Sequence, residues 1–416
     1  MEVIYPRCGA LDVHKKSVTA GVRISEESRV RKDVKTFDTT TKGLLALSDW
    51  LSSYGVSHVV MEATGVYWRP VWNVLSANED FTLTLANAAH VKNVPGRKTD
   101  VSDTDWMLDL NAHGLIRPSF VPDKATQELR DIMRSRKQMV REQTRHIQRI
   151  QKTLEQANIK LDNVLSDILG KSGRAMLDAM VTGESDPVKL AAFAHKGVKA
   201  SQEQLREALN GRMNDHHRFL IRLHLKLIDH LDETIGTLDQ EVEASLKPFR
   251  DAVDLVSTAP GLRRLGAQTV VAEIGIDMER FASAGHLLSW GGICTRQDVS
   301  AGKRRSRRLR RGNPWLKAAL IQAAHAARKK KGTYLQALYL RLKTRRGPQK
   351  AVCAVAASLL TSIYHMLKNG VAYEDLGPDH FHNRSPTSHA RRLVRQLERL
   401  GYDVDLSPPK AELATA

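Results

Sequence analysis

Cysteine is nearly absent from this sequence. Cys8, Cys294 and Cys353 are the only three among 416 residues. They lie far apart and form no CxxC pair, which argues against both a disulfide framework and a zinc site. Such sparing use suits a reducing cytoplasm. Long apolar runs are missing as well: no segment reaches the ~20 residues that a bilayer span needs. The longest candidate, Ala351 to Leu360, soon meets His365 and Lys368. The N-terminal MEVIYPRCGALDVHKK lacks the basic-then-apolar layout of a secretory signal. These absences lead to the expectation of a cytoplasmic protein with no membrane partner.

What the chain has in excess is positive charge. Its 64 Lys and Arg against 46 Asp and Glu leave a net +18, with a pI near 9.9. That excess attracts polyanions and makes their binding fall steeply with salt. The length allows two or three domains with real cores.

Hydropathy patterning organises the first quarter. RCGALDVH and SVTAGVRI read as a hairpin turning at Lys15-Lys16, and RVRKDVKTF is a third strand-like run. A helix opened by Thr41 follows, with Leu44, Leu45, Leu47 and Leu51 on its apolar face. VSHVVMEA is a buried-type strand ending at Glu62. Gly65 opens another helix with Trp72 and Leu75, FTLTLAN is a further strand, and helical pattern returns from Asp100 to Leu110. This β-β-β-α-β-α-β-α order is that of the ribonuclease-H-like fold.

Four acids fall at its functional positions. Asp12 and Glu62 end strands, and Asp100 and Asp103, three residues apart, share one helical face. Two acids on one turn repel, and Mg²⁺, or Mn²⁺ in its place, is the hard cation that such carboxylates and phosphate oxygens hold. Asp103 and Asp105 alone have an ordinary explanation, since acids in a first helical turn favour the macrodipole. Four acids placed together, in so basic a chain, point to metal-assisted phosphodiester chemistry on nucleic acid. His14 and His90 are read as satisfied surface histidines rather than ligands.

From Thr126 to about Leu161 no Pro or Gly interrupts the chain, and Met133, Val140, Ile147 and Leu154 recur every seven residues. A second long helix is expected from about Ser201 to Leu246, with Ile221, Ile228, Ile235 and Val242 on its seam and Leu231 and Leu238 between. The spacing suits either a coiled coil between chains or two antiparallel helices of one bundle. Between them KSGRAML…VTGESDP reads as loop-rich.

In the final third, Pro260-Gly261 between two helical patterns resembles a helix-hairpin-helix turn able to hold a phosphate. Trp290-Gly291-Gly292 and the polar loop Ser300-Ala301-Gly302 follow. Seven of the nine residues 303–311 are then basic: Lys303, Arg304, Arg305, Arg307, Arg308, Arg310 and Arg311. Such a run positions phosphates. Ser300 among these cations could attack phosphorus and hold a covalent phosphoryl intermediate, although Ser-Ala-Gly is ordinary loop composition. Asn313 caps a helix whose first residue is Pro314, and the tail beyond about Leu376 is expected to be partly ordered, with a basic helical piece at HARRLVRQLERL.

Taken together, GALDVHKKSVTAGV, VVMEATGVYWRPV, NVPGRKTDVSDTDWM, PGLRRLGAQTVVAEIG and VSAGKRRSRRLRRGNPWLKAALIQAA resemble the DEDD-type transposases of bacterial insertion sequences, recombinases that use a bridge RNA. The resemblance runs from about residue 9 to about residue 370. It implies a RuvC-like metal-binding domain over residues 7–122, a coiled-coil or helical dimerisation region over 123–250, a mostly α-helical transposase domain over 251–370 and a basic tail over 371–416. Residue by residue, it implies a metal-binding catalytic tetrad of Asp12, Glu62, Asp100 and Asp103, and a nucleophile at Ser300, with Ser306 a weaker candidate. It further implies DNA and a guide RNA as partners, and a dimer or tetramer in which tetrad and serine meet across subunits. CTRQDV ahead of Ser300 and Thr104 after Asp103 depart from the family's pattern. Two rival readings stand beside it: a junction-resolvase-like nuclease in which water attacks, and a non-catalytic nucleic-acid-binding protein.

Overall fold

The computed structural model describes residues 2–26, 29–63, 65–94, 102–295, 299–300, 302–304, 306, 308–383 and 386–405. The chain divides into two compact units, Met1–Val121 and Pro122–Ala416.

In the first unit, β1 (Arg7–Val13), β2 (Ser17–Glu26) and β3 (Arg29–Asp38) form an antiparallel meander. α1 (Thr41–Ser53), β4 (His58–Glu62), α2 (Trp68–Leu75), β5 (Thr82–Ala86), α3 (Ala88–Asn93) and α4 (Asp103–Ala112) follow. The five strands lie in the order β3-β2-β1-β4-β5, with β4 parallel to β1 and β5 parallel to β4. β1 is buried on both faces, as a central strand flanked by helices must be. Leu11 and Val13 join one core with Leu44, Leu47 and Leu51 of α1 and Val71 and Leu75 of α2. Cys8 and Ala10 join the opposite core with Met107 and Leu108 of α4. The sheet closes on a charged edge, β3, whose RVRKDVK is largely exposed and resists edge-to-edge pairing.

The expected order of elements is present, with the short α3 added, and this unit is compatible with a ribonuclease-H-like domain. One detail differs. Leu45 is exposed, because the helical period carries 44, 47 and 51 inward and turns 45 away from them. Thr40 caps α1, its hydroxyl accepting from the Gly43 amide at 3.2 Å.

In the second unit, α5 (Lys124–Gln156) starts at Asp123, whose carboxylate accepts from the amide and hydroxyl of Thr126. Next come α6 (Leu161–Val164), α7 (Lys171–Thr182), α8 (Pro187–Ala191), α9 (Gln202–Leu209) and α10 (Asp215–Ser245). α5 and α10 run antiparallel, tied by Arg136 to Asp239, Gln143 to Asp232 and His146 to His224. Ile150 and Leu154 of α5, Ile221, Leu225 and Ile228 of α10, and Leu177, Met180 and Leu205 share one core. Full burial of each such side chain contributes about 1.5–3 kcal/mol.

Two expectations are corrected here. The single helix from Ser201 to Leu246 is two helices, α9 and α10. Between them Gly211 passes so close to Ala157 that a Cβ would meet its carbonyl oxygen at 2.5 Å. The Arg212 amide donates to that same oxygen at 2.7 Å, and Asn214 caps the restart. Conversely, the presumed loop at KSGRAML is helix α7. Its Gly173 is a packing glycine, since a Cβ would lie 2.3 Å from the Ile168 carbonyl oxygen.

Among the described residues, the elements in the rest of this unit are helices apart from one hairpin. α11 (Arg250–Ser257), α12 (Arg264–Ile274) and α13 (Ala284–Gly291) precede the short strands β6 (Val299–Ser300) and β7 (Lys303–Arg304). α14 (Pro314–Ala327), α15 (Tyr334–Arg346), α16 (Pro348–Asn369), α17 (His380–Asn383) and α18 (Pro386–Arg399) complete it. α16 is the central helix, with Ala351, Val355, Leu359, Leu360 and Ile363 fully buried. By length and composition it could cross a membrane, which the apolar-run reading did not anticipate; half of its most apolar window is buried inside the protein. Gly261, at φ +83°, backs onto α14, where a Cβ would lie 2.2 Å from the Ala323 carbonyl oxygen. That turn therefore needs its glycine for helix packing.

Candidate active site and nucleic-acid interface

Register decides where the first-unit acids point. Leu11 pairs with Met61 across β1 and β4, so Asp12 and Glu62 follow as neighbours on parallel strands. Asp12 shares its face with Cys8 and Ala10, and Glu62 shares its face with Val60; all of these belong to the α4 side of the sheet. α4 runs antiparallel to β1. Near its C-terminus the Asn111 side-chain amide donates to Gly9 and His58 carbonyls at 3.1 and 3.2 Å, at the beginnings of β1 and β4. Its N-terminus, bearing Asp103, is thereby directed toward the strand ends where Asp12 and Glu62 sit.

Gly21 permits this approach, because a Cβ there would meet Thr104 and Leu108 side chains at 2.8 Å. Thr104 is buried in that contact, which gives this departure from the family pattern a packing role. Asp105 and Asp109 pair with Lys32, and Asp109 also with Arg23.

Asp100 lies outside the described residues. Among those described, no three His, Cys, Asp or Glu residues form a group that could hold a metal. The donors at hand are carboxylate oxygens, which suit a hard divalent cation. His14 is exposed and lies 3.2 Å from Asp12. His90 differs from its expectation: its Nε2 is buried with no hydrogen-bond partner.

In the second unit, the loop around Ser300 is a β-ribbon. The Arg310 amide donates to the Cys294 carbonyl at 3.0 Å, Thr295 bridges Leu309, and Ser300 pairs with Lys303. Ser300 is thus the last residue of β6, and Gly302, just before Lys303, has φ +72°. Of the basic run, Lys303 and Arg304 form β7, and Lys303, Arg308, Arg310 and Arg311 are exposed. Arg305 and Arg307 lie outside the described residues. The Ser306 hydroxyl accepts from the Arg308 amide at 3.3 Å.

The ribbon's base is a glycine crossing. A Cβ on Gly312 would lie 2.5 Å from the Gly292 amide nitrogen, and one on Gly292 would lie 2.8 Å from the Gly312 amide nitrogen. Beside it sits a buried node that the sequence did not disclose. Glu273 of α12, only 2% exposed, receives Arg134 of α5 through Nε and Nη2 at 2.8 and 2.7 Å. Arg130 approaches at 3.5 Å and also donates to the Glu273 backbone carbonyl. The Asn313 side-chain amide donates to the same carboxylate, while its oxygen accepts from the Trp315 and Leu316 amides and starts α14. Arg141 and Arg134 lie over the Trp315 ring at 4.7 and 5.7 Å.

The sequence held one further signal. Residues 299–373 contain 18 Lys and Arg and no Asp or Glu, while the other 46 basic residues are matched by the 46 acids. The whole net charge therefore belongs to this stretch, of which the run at 303–311 is less than half.

A mixed α/β unit with acids at adjoining strand ends, together with a helical unit bearing an acid-free basic stretch, describes a protein suited to a polyanionic substrate. Two family models match: a DEDD transposase model, described as Transposase, over residues 9–159, and Transposase IS116/IS110/IS902 family over residues 253–340. The chain belongs to the IS110 family of transposases and is an enzyme of DNA transposition. No curated protein matches the chain.

Proposed function

We propose that this transposase cuts and rejoins DNA through a phosphoserine intermediate at Ser300. The observation that carries this reading is the position of Ser300, closing one strand of a basic ribbon whose base is held by two glycines in backbone contact. In the proposed step the Ser300 oxygen forms a bond to phosphorus and the phosphorus–oxygen bond to one deoxyribose breaks. The hydroxyl gives up a proton and the leaving oxygen gains one. A later deoxyribose hydroxyl reverses the step on the new strand, so the phosphodiester bond energy is conserved. Lys303 and the arginines at 304, 305, 307, 308, 310 and 311 hold phosphates and offset charge in the transition state.

Asp12, Glu62, Asp100 and Asp103 are the proposed ligands of Mg²⁺. The reading is supported by the shared face of Asp12 and Glu62 and by the direction of α4. When bound, the cation supplies Lewis-acid contact to phosphodiester oxygens. The assigned regions are a RuvC-like domain at 7–122, a coiled-coil dimerisation region at 123–250, a transposase domain at 251–370 and a tail at 371–416. Dimerisation is supported by the middle of the α5–α10 pair, where Val140, Leu231, Ile235 and Leu238 are only half-buried. A bridge RNA selects the sites by base pairing, and the protein works in the cytoplasm.

The test is a denaturing gel of protein, element RNA and labelled DNA with Mg²⁺, for wild type and Ser300→Ala. A covalent protein–DNA band lost in the variant is the expected result, and its loss on omitting RNA is expected too. Cleaved DNA without the band, unchanged by the substitution, would replace this reading with a nuclease in which water attacks.

A further inference from the structure

We infer that the turn joining α15 to α16 is a second contact surface for duplex DNA, continuous with the ribbon's base and formed by Lys343, Arg345, Arg346 and Lys350. The inference rests on the DNA-acting reading above and adds a surface that the basic run does not include. All four side chains are exposed, and none is in an ion pair with a carboxylate among the described residues.

A helix dipole accounts for only part of this charge. Cations in the last turn of α15 favour its negative end, which covers Lys343, Arg345 and Arg346. Lys350 sits in the first turn of α16, where the dipole favours acids and none occurs. Its placement there is unfavourable unless an anion approaches from outside.

Packing brings the turn to the ribbon's side of the helical unit. Lys317, in the first turn of α14, donates to the Arg310 carbonyl oxygen at 3.0 Å. α14 packs along α16, with Leu316 of α14 and Leu360 of α16 both against Gly291, and Lys350 lies in the first turn of α16. The Lys317 hydrogen bond and the packing of α14 on α16 thus link the base of the ribbon to the helix that this turn begins. Each phosphate contact made here extends the footprint without reading sequence.

The chemistry of the surface favours a duplex over a single strand. Single-stranded nucleic acid is held by bases stacked on aromatic rings. No aromatic side chain occurs from Leu340 to Lys350, and Tyr339 is buried beneath Arg328. Cations without rings fit a phosphate backbone.

The test uses the full-length Lys343→Ala/Arg346→Ala/Lys350→Ala variant and a DNA duplex of arbitrary sequence, titrated between 50 and 300 mM salt. Each lost phosphate contact lowers the slope of log K against log salt by about 1, so a fall of about 3 is expected, with weaker binding on every sequence. A second variant, Lys137→Ala/Arg206→Ala/Lys226→Ala, removes equal charge from exposed positions elsewhere, and its slope is expected to stay near that of wild type. The two variants falling equally would overturn the proposal, since the effect would then be one of net charge. A fall seen with an RNA duplex and not with DNA would overturn it as well. A glutamine version of the first variant, melting with wild type, guards against loss of fold. Binding is read without strand cleavage, so failure of the phosphoserine reading would leave this result interpretable.

Discussion

Replacing Glu273 with alanine tests the node behind the ribbon most directly. The carboxylate is 2% exposed, and its ion partners Arg130 and Arg134 are 8% and 27% exposed. Removing it takes the paired carboxylate from Arg134 and the ion partner at 3.5 Å from Arg130, and leaves Asn313 without that acceptor. Breaking a buried pair from one side costs about 3–5 kcal/mol. For a unit of this size each kcal/mol lowers the melting temperature by about 2–4 °C, so a fall of at least about 6 °C is expected by calorimetry. Glu273→Gln keeps the shape and loses the charge; it is expected to fall between alanine and wild type. A fall below about 2 °C for Glu273→Ala would refute the reasoning, since the arginines would then find water at little cost. A double-mutant cycle with Arg134→Met isolates the pair, with about 0.5–3 kcal/mol of coupling expected.

Gly312→Ala is expected to abolish the covalent adduct, because its Cβ meets the Gly292 backbone, and backbone atoms cannot rotate away. Adduct formation at wild-type level would refute the crossing's role. Asp12→Asn and Glu62→Gln are each expected to lower strand cleavage by about 100-fold or more, as chelation should, if these carboxylates hold the metal; unchanged cleavage would remove them from the site. Acid sensitivity should arise at His146 and His224, whose Nδ1 atoms lie 3.2 Å apart. Burial first, then neighbouring positive charge including Arg149, holds both imidazoles below their usual 6.5. The unfolded chain therefore binds protons first, and stability is full above that pH and falls as pH drops through it. Melting from pH 7.5 to 5 should show the loss, and His146→Gln should flatten it; an unchanged slope would exclude the pair.

Much of the first unit was legible in the sequence, because strands and helices there follow short-range rules. Apolar alternation and turn residues marked β1 to β5, and Asp12 and Glu62 could be placed at strand ends by counting. The face they share needed the parallel register of β1 with β4, a long-range fact. Helical period distinguished buried Leu44 from exposed Leu45, yet a simple listing of apolar residues did not. Gly211 and Gly173 show the same limit. One interrupts a helix and the other lies within one, and what separates them is the backbone each must pass.

The basic character was written in the sequence, down to the acid-free stretch that carries all of the net charge. Charge composition does not depend on folding, and the partner class followed from it. What only the tertiary structure decided was arrangement. A polar loop became a ribbon with Ser300 closing one strand, because pairing between residues 294 and 310 is invisible to local propensity. Glu273, an unremarkable acid in VVAEIG, became the buried partner of Arg130, Arg134 and Asn313. The two arginines lie 143 and 139 positions from Glu273 and Asn313 lies 40 away, and burial is what makes the loss of one partner costly.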